Sequence, residues 1–455
     1  MKHLIKLSVF ILLGVIVILG YGGMCGLLNK DDSGSSAKQI RLTSDALWKA
    51  VNNNETATYI ITIHNDSDHD RPIKITGTPA AGNWVVTYYD PITGTDITGQ
   101  MISGGFVTPV ITSTGSYAVQ LEVTPVSVTP GTSVDTSVAG SFADAPQERD
   151  DINPETQRVL KPSVIGSYDT AATATCVYVL GNYAYVGDGY SLLIVDVSNP
   201  LSPTFVGSCD TPDNVWEIYV SGNYAYVANE QSGLKIIDVS NPFSPTLAGS
   251  YDTPGYALGV FVSGNYAYVA DEYSLQIIDI SNPVNPVFVG SYDTLNNAID
   301  IYVSGNYAYA ANGPGGLQII DISNPASPTL AGSYDTPGYA NSVYVSGIYA
   351  YVADGDSGLQ IINISNPVNP SFVGSFYIPY TSGSAYRIHV SSNYAYVLSS
   401  SGLQIIDISN PASPILTGID DVYLLGIYIS GNYAYVVTNR PDWVCYVLQI
   451  IKLTE

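Results

Sequence analysis

Histidine, cysteine, methionine and basic side chains are all scarce in this 455-residue sequence: four His, four Cys, three Met, and 15 Lys plus Arg against 39 Asp plus Glu. The histidines stand at His3, His64, His69 and His389, with no pair at metal-ligand spacing, and no serine or cysteine has an evident histidine partner. Zinc sites and hydrolytic triads therefore drop out of consideration. The shortage of Lys and Arg leaves a formal net charge of −24, which repels nucleic acid and anionic membrane surfaces and attracts cations or basic partners. Only 12% of residues are charged, so the polar surface must be built mainly from Ser, Asn, Thr and the 37 Tyr. Between the repeated segments nothing is long enough for an amphipathic helix.

The one extended apolar run, Leu7 to Leu19, follows Lys2, His3 and Lys6. It is short for a span of about 20 residues and has the charged-then-apolar layout of an export signal. Gly22-Gly-Met-Cys25 resembles a lipoprotein cleavage box, which makes Cys25 the lipidation candidate. Lipidation, an uncleaved anchor and plain secretion stay open, and each puts the rest of the chain outside the cytoplasm. Residues 1–30 are thus a signal peptide or lipoprotein or membrane anchor, and 31–39 a flexible tether.

What the sequence has in abundance is one sentence written seven times. Its clearest copy runs Val262-Ser-Gly-Asn-Tyr-Ala-Tyr-Val-Ala270, Leu275-Gln-Ile-Ile-Asp-Ile-Ser-Asn-Pro283 and Val287-Phe-Val-Gly-Ser-Tyr-Asp-Thr294. Asn-Tyr-Ala-Tyr recurs from Asn182, Asn223, Asn265, Asn306, Asn393 and Asn432, with Ile348 replacing Asn once, at steps of 39 to 45 residues. A period of this length, carried by short runs of Val, Ile, Tyr and Phe, specifies four-stranded units in a ring or stack. Gly-Asn suits a tight hairpin between the first two strands, and Asn-Pro forces a turn after the third.

The phase of the repeat selects the ring. The last copy ends at Leu448-Gln-Ile-Ile-Lys-Leu without a fourth strand, and the missing run lies before the first copy as Ser163-Val-Ile-Gly-Ser-Tyr-Asp-Thr170. A closed propeller uses that N-terminal strand to complete its last blade and remove an exposed edge. The expectation is all-β: a seven-bladed β-propeller over 162–455, closed by an N-terminal strand. The runs Leu193-Ile-Val-Asp-Val-Ser-Asn-Pro and Leu234-Lys-Ile-Ile-Asp-Val-Ser-Asn-Pro resemble LVIVD repeats, found in surface propellers of bacteria and archaea. The resemblance implies architecture and an extracytoplasmic setting, and brings no catalytic residues.

Residues 40–125 read as a different unit. Alternating runs at Thr58–Ile63, Ile73–Thr76, Trp84–Tyr89 and Tyr117–Val123, separated by turn clusters, fit a small β-sandwich. The order of Tyr59 to Asn65, Gly82 to Val86 and Val123 to Pro125 is similar to Ig-like modules that precede catalytic or binding domains in exported proteins, which implies a spacer. Residues 126–161, rich in Thr, Ser, Pro and Asp and without periodicity, read as an extended, mobile linker.

Several residues invite a chemical reading and take a structural one. His389 stands where other copies have Tyr178, Tyr219, Phe261, Tyr302, Tyr344 and Tyr428, so it substitutes for a packing aromatic. Asp196, Asp238, Asp279, Asp321 and Asp407 end the third strands, where they cap the Ser-Asn-Pro turns. Asp354-Gly-Asp-Ser-Gly358 has closely spaced oxygens but lacks the later acidic ligand of a calcium loop, and reads as a solvated turn. Cys176 on an innermost strand and Cys209 on an outermost one stand roughly 14 Å apart, too far for a disulfide.

Function is expected where the copies stop agreeing. Just before each inner strand's core the equivalent residues are Cys176, Glu217, Gly259, Asp300, Ser342, Arg387 and Gly426, with Trp216, Tyr256, Tyr339, Tyr386 and Tyr423 nearby. The candidate binding residues are Trp216, Glu217, Tyr256, Asp300, Tyr339, Tyr386 and Arg387, at the channel mouth. No catalytic residue, metal or cofactor is assigned. The expected function is that of an exported, surface-tethered, non-enzymatic scaffold for extracellular protein or glycan partners. The alternatives are a propeller lyase or hydrolase acting on glycans through Glu217, Asp300 and Arg387, or a structural envelope component.

Overall fold

The computed structural model describes residues 40–453 apart from 47, 52–54, 68, 80, 127, 129, 144–148, 160–161, 379–382, 421–423 and 440–445, so Cys25, Tyr423 and Cys445 lie outside the described residues. From residue 163 onward the described residues form seven antiparallel sheets, one per sequence copy. In the first, Ala174–Leu180, Tyr183–Asp188, Ser191–Asp196 and Thr204–Asp210 pair in chain order. In the third, the second and third runs merge into one 14-residue element, Tyr266–Asp279. The seventh combines Leu424–Ser430, Tyr433–Asn439 and Tyr446–Lys452 with Ser163–Thr170, which pairs antiparallel with Tyr446–Lys452 from Ser163 opposite Lys452 to Thr170 opposite Tyr446. The first strands of successive sheets contact one another in turn, and the seventh contacts the first. The fold is all-β, a β-propeller of repeated sheets.

The burial of each strand follows from its place between neighbouring sheets. Second and third strands are buried on both faces, as in Tyr224–Ala228 and Leu234–Asp238, and so carry near-continuous apolar residues. Fourth strands face outward, and Phe205, Leu247, Phe288, Leu330 and Phe372 are about half exposed. Third-strand carboxylates act as caps: the Oδ1 atoms of Asp196, Asp238, Asp279, Asp321 and Asp407 each accept the backbone N–H two residues on at 2.8–2.9 Å, and Asn363 does the same. Hydrogen bonds from Ser198, Ser240, Ser281 and Ser323 hold the carboxyls of the first four below the ordinary carboxylate range.

Sheet spacing at six of the junctions is set by one glycine in the fourth strand. A Cβ at Gly207, Gly249, Gly290, Gly332 or Gly374 would run into the carbonyl oxygen of the Asn-Pro turn in the next sheet, at Pro242, Pro283, Pro325, Pro367 and Pro411 respectively. Gly166 stands in the same relation to Pro200, between the seventh sheet and the first. The ladder shifts register beside these glycines, so a bulge and a missing side chain together let the next turn approach.

Ahead of the propeller two sheets share one buried core. The first orders Ile40–Ser44, Ala57–Asn65, Ser116–Pro125, Trp84–Asp90 and Thr95–Asp96; the second orders Arg149–Ile152, Val138–Phe142, Ile73–Gly77 and Phe106–Val107. The expected linker is corrected here. Residues 126–161 supply Val138–Phe142 and Arg149–Ile152 to that second sheet, and Ser133–Asp135 and Glu155–Arg158 to a third small sheet with Trp48–Val51. Val138 and Phe142 are fully buried. A polar composition hid strands of four or five residues that complete another unit's sheet.

The small sheet rests on the sixth propeller sheet. Gln157 Nε2 donates to the Leu416 carbonyl at 2.9 Å, and Ala50 and Val159 share a cluster with Leu416 and Ile419. Leu416 is 1% exposed where its counterparts are about half exposed, and Ile419 (4%) stands where the other sheets carry exposed serines such as Ser250 and Ser333. The sixth outer strand is thus apolar where the other outer strands face water.

Two outcomes follow. Gly290→Ala should lower stability by about 1–3 kcal/mol in chemical denaturation, whereas Gly264→Ala, with nothing within 4 Å of the added carbon, should register only the backbone cost of its positive φ. Leu416→Asp should release the N-terminal unit from the ring, seen as new protease cleavage around residues 126–161 while the propeller fragment persists.

Candidate binding site

The inner strands begin with a bulge in five sheets, and this decides which side chains face the axis. Register shifts fall between Ala174 and Cys176, Ala257 and Gly259, Ala340 and Ser342, Ala385 and Arg387, and Leu424 and Gly426. The bulged residue turns toward the next sheet instead. Thr175 Oγ1 donates to the Val215 carbonyl, Asn341 Nδ2 to the Ala385 carbonyl at 2.9 Å, and the Tyr386 hydroxyl to the carbonyls of Leu424 and, at 3.2 Å, Ser399. Tyr386 is therefore a strut between the sixth and seventh sheets, which corrects its placement at the mouth.

Two residues below the bulge level, seven rings close a circle around the axis. Tyr178, Tyr219, Phe261, Tyr302, Tyr344, His389 and Tyr428 contact in sequence and back to Tyr178, with centroid separations of 4.6 to 5.2 Å. Tilted packing at these distances is favourable for aromatic pairs. Tyr178 hydrogen-bonds to Tyr428 and Tyr219, and burial pushes its hydroxyl far above the ordinary range. His389 takes the packing position read from its repeat register. Burial lowers its pKa to about 4, and its Nδ1 is shut from solvent without a partner.

Above this floor lies a cavity of about 230 Å³, walled by Cys176, Glu217, Asp300, Ser342 and Arg387. Arg387 Nη1 meets Glu217 Oε2 at 2.6 Å across the axis, from the sixth sheet to the second, and Nη2 donates to the Trp216 carbonyl at 3.3 Å. Asp300 Oδ2 accepts the Ser342 hydroxyl at 2.7 Å and the Val343 N–H at 3.0 Å, while Oδ1 accepts the Ile301 N–H at 2.7 Å. Burial raises the Glu217 carboxyl to about 7; Arg387 opposes the rise and Asp300 adds to it. Burial acts to lower Arg387, but the two carboxylates outweigh it and hold the guanidinium above its ordinary value. Cys176 is pushed up to about 12 by burial, then by Glu217, so its thiol stays protonated and unreactive.

The structure thus brings Glu217, Asp300 and Arg387 into one cup. Trp216, Tyr256 and Tyr339 stand outside its wall on the links that enter the inner strands, each about 40% exposed. Sequence reasoning missed the buried carboxylates at the ends of second strands. Asp354 is fully buried, accepting the Thr336 hydroxyl at 2.6 Å and the Gly338 N–H at 2.8 Å. It anchors the link above it, which corrects its reading as part of a solvated turn. Asp188 does the same for the Ala171 and Ala172 N–H groups. Among the described residues, no group of three or more His, Cys, Asp or Glu is placed to hold a metal ion. Cys176 and Cys209 are free thiols on the first and fourth strands of one sheet.

The family model of the LVIVD repeat matches residues 172–211, 213–253, 254–294, 296–336, 337–377, 382–422 and 425–442. No curated protein matches the chain. Among solved structures, the β-propeller domain of Myceliophteria thermophila Cps50 (Swd1) is similar at a TM-score of 0.53 and 14% identity, covering 64% of this chain and all of that one. Saccharomyces cerevisiae Sqt1 is similar at a TM-score of 0.50 and 8% identity, covering 65% of this chain and all of that one. At these identities the likeness shows the propeller fold alone.

The cross-axis pair has a pH signature. A carboxyl with a raised folded pKa contributes stability that is full below its unfolded value and is lost as pH climbs through the folded one. For Glu217 that window runs from the ordinary glutamate value of 4.5 to about 7. Arg387→Met removes the opposing charge, so the window should extend upward. The variant should lose about 3–5 kcal/mol, more at pH 8 than at pH 5, measured by thermal and chemical denaturation at both.

Proposed function

We propose, since the chain belongs to the LVIVD-repeat family, that it is a non-enzymatic interaction scaffold: a seven-bladed propeller, closed by its Ser163–Thr170 strand, that presents the axial cup to protein or glycan partners. The observation that carries this reading is a contrast within the repeat. Core strands, turn caps and the aromatic circle recur copy after copy, while the layer above the circle holds a different set of side chains, Cys, Glu, Gly, Asp, Ser, Arg and Gly. A rigid frame with variation confined to one cavity and its rim has the form of a recognition surface.

The rival reading, glycan hydrolysis or elimination by Glu217, Asp300 and Arg387, is less well supported. Both Asp300 oxygens are engaged by Ser342 and backbone N–H groups, and Glu217 is tied to Arg387. Neither carboxylate stands ready to take or give a proton at a bond in the cavity.

The proposed setting is the cell surface. The charged-then-apolar leader and the Cys25 box support export and anchoring, and the net charge of −24 supports a chain held away from anionic surfaces. The N-terminal unit, proposed as an Ig-like β-sandwich, is docked on the ring and so fixes the orientation of the cup as well as its height. A structural role in the envelope remains the second alternative, distinguished by ordered self-assembly of the purified chain.

The deciding experiment compares the parent with Glu217→Gln/Asp300→Asn/Arg387→Met on extracellular polysaccharides and envelope proteins. The parent should bind a partner without cleaving it, and the triple variant should stay folded and lose binding. Bond cleavage by the parent that disappears in the triple variant would overturn the scaffold reading in favour of an enzyme.

A further inference from the structure

The cavity that forms the cup is small. Its volume of about 230 Å³ falls below the roughly 300–1,000 Å³ of pockets that enclose a drug-sized ligand. It holds one ring or one chain end, and any longer partner must continue over the rim, where Trp216, Tyr256 and Tyr339 are exposed.

The charges in the cup narrow the chemistry. A basic side chain entering it finds both carboxylates already engaged, Glu217 by the Arg387 guanidinium and Asp300 by the Ser342 hydroxyl and two backbone N–H groups. An anion meets Glu217 and Asp300, and approaches a chain of net charge −24. A neutral group bearing hydroxyls meets neither penalty, because each hydroxyl both donates and accepts. Complementary groups are at hand. Arg387 has five N–H donors, and its two hydrogen bonds, to Glu217 Oε2 and the Trp216 carbonyl, leave others over.

We propose that the cup receives the terminal unit of an uncharged, polyhydroxylated glycan, with Glu217 and Arg387 bonding its hydroxyls and Trp216, Tyr256 and Tyr339 covering the units that follow. This rests on the scaffold reading above and names its ligand class. The aromatic circle forms the floor, so the ligand enters from the rim side only and binds by its end.

The test is calorimetric titration of the full chain with cello-, manno- and fully acetylated chito-hexaose, alongside a lysine-rich peptide and an oligogalacturonate. At least one neutral hexaose should bind saturably at one site per chain, with affinity little changed between 50 and 500 mM salt, since no ion pair is screened. Trp216→Ala, which removes an exposed ring and leaves the backbone carbonyl in place, should weaken binding about tenfold at unchanged melting temperature, and Glu217→Gln should weaken binding by a similar factor. Capping the glycan's end by covalent attachment to a bulky group should abolish binding at one end of the chain and not at the other. No binding by any neutral hexaose, or binding indifferent to both variants, would overturn the proposal. Salt-sensitive binding of the lysine-rich peptide that is lost in Trp216→Ala would overturn the ligand class and leave the scaffold reading standing. Hydrolysed hexaose in the titration cell would sink the scaffold reading itself.

Discussion

The close approach of each fourth-strand glycine to the Asn-Pro turn of the next sheet is the constraint on which the rest of the structure depends. Six junctions use it, from Gly166 against Pro200 to Gly374 against Pro411. The outer parts of neighbouring sheets can come no nearer than this contact permits, and a side chain there would hold them apart. Because six of the seven sheets lean on the next in this way, a change in spacing at the periphery is transmitted to the axis. The bulge beside each glycine twists the strand locally, so that the turn meets backbone rather than a neighbouring side chain.

That spacing makes the aromatic circle possible. Seven rings can touch in succession only if seven inner strands stand at nearly equal distances, and the narrow range of centroid separations shows that they do. His389 keeps the circle continuous at the cost of one buried, unpartnered nitrogen. With the floor fixed by packing, the layer above is relieved of structural work in most sheets. Gly259 and Gly426 contribute no side chain there, and Cys176 and Ser342 contribute small ones. The long side chains of Glu217 and Arg387 then have room to meet across the axis.

The repeat made the propeller readable because each copy restates the same strands, turns and caps, and because the stray Ser163–Thr170 run fits the gap left at the other end. The layer containing Glu217, Asp300 and Arg387 was readable for the same reason, as the place where aligned copies diverge. Other features had no such multiplicity behind them. Val138-Ala-Gly-Ser-Phe142 is too short and too rich in small residues to announce a strand, and it becomes one only because Ile73–Gly77 offers an edge to pair with. Tyr386 looks like a mouth aromatic in a linear alignment. The bulge that turns it toward Leu424 is a property of the ladder, visible only once the strands are paired. The burial of Asp354 likewise depends on the preceding link, through Thr336 and Gly338, folding back over it.

The docking of the N-terminal unit shows how one copy can depart from the repeat without disturbing it. Outer strands elsewhere alternate half-exposed apolar residues with exposed serines, a pattern suited to a face in water. In the sixth sheet Leu416 and Ile419 are buried in a cluster that includes Ala50 and Val159. An isoleucine in place of serine would be a liability on an open face, and here it lies in a buried cluster shared with residues from the N-terminal unit. The departure lies on the outer strand, opposite in the sheet to the inner strand that supplies Arg387. One sheet therefore serves two surfaces at once: its periphery holds the ring to the rest of the chain, and its axial edge completes the ion pair across the cup. The N-terminal unit and the cup therefore both draw on the sixth sheet, one on its outer strand and the other on its inner strand.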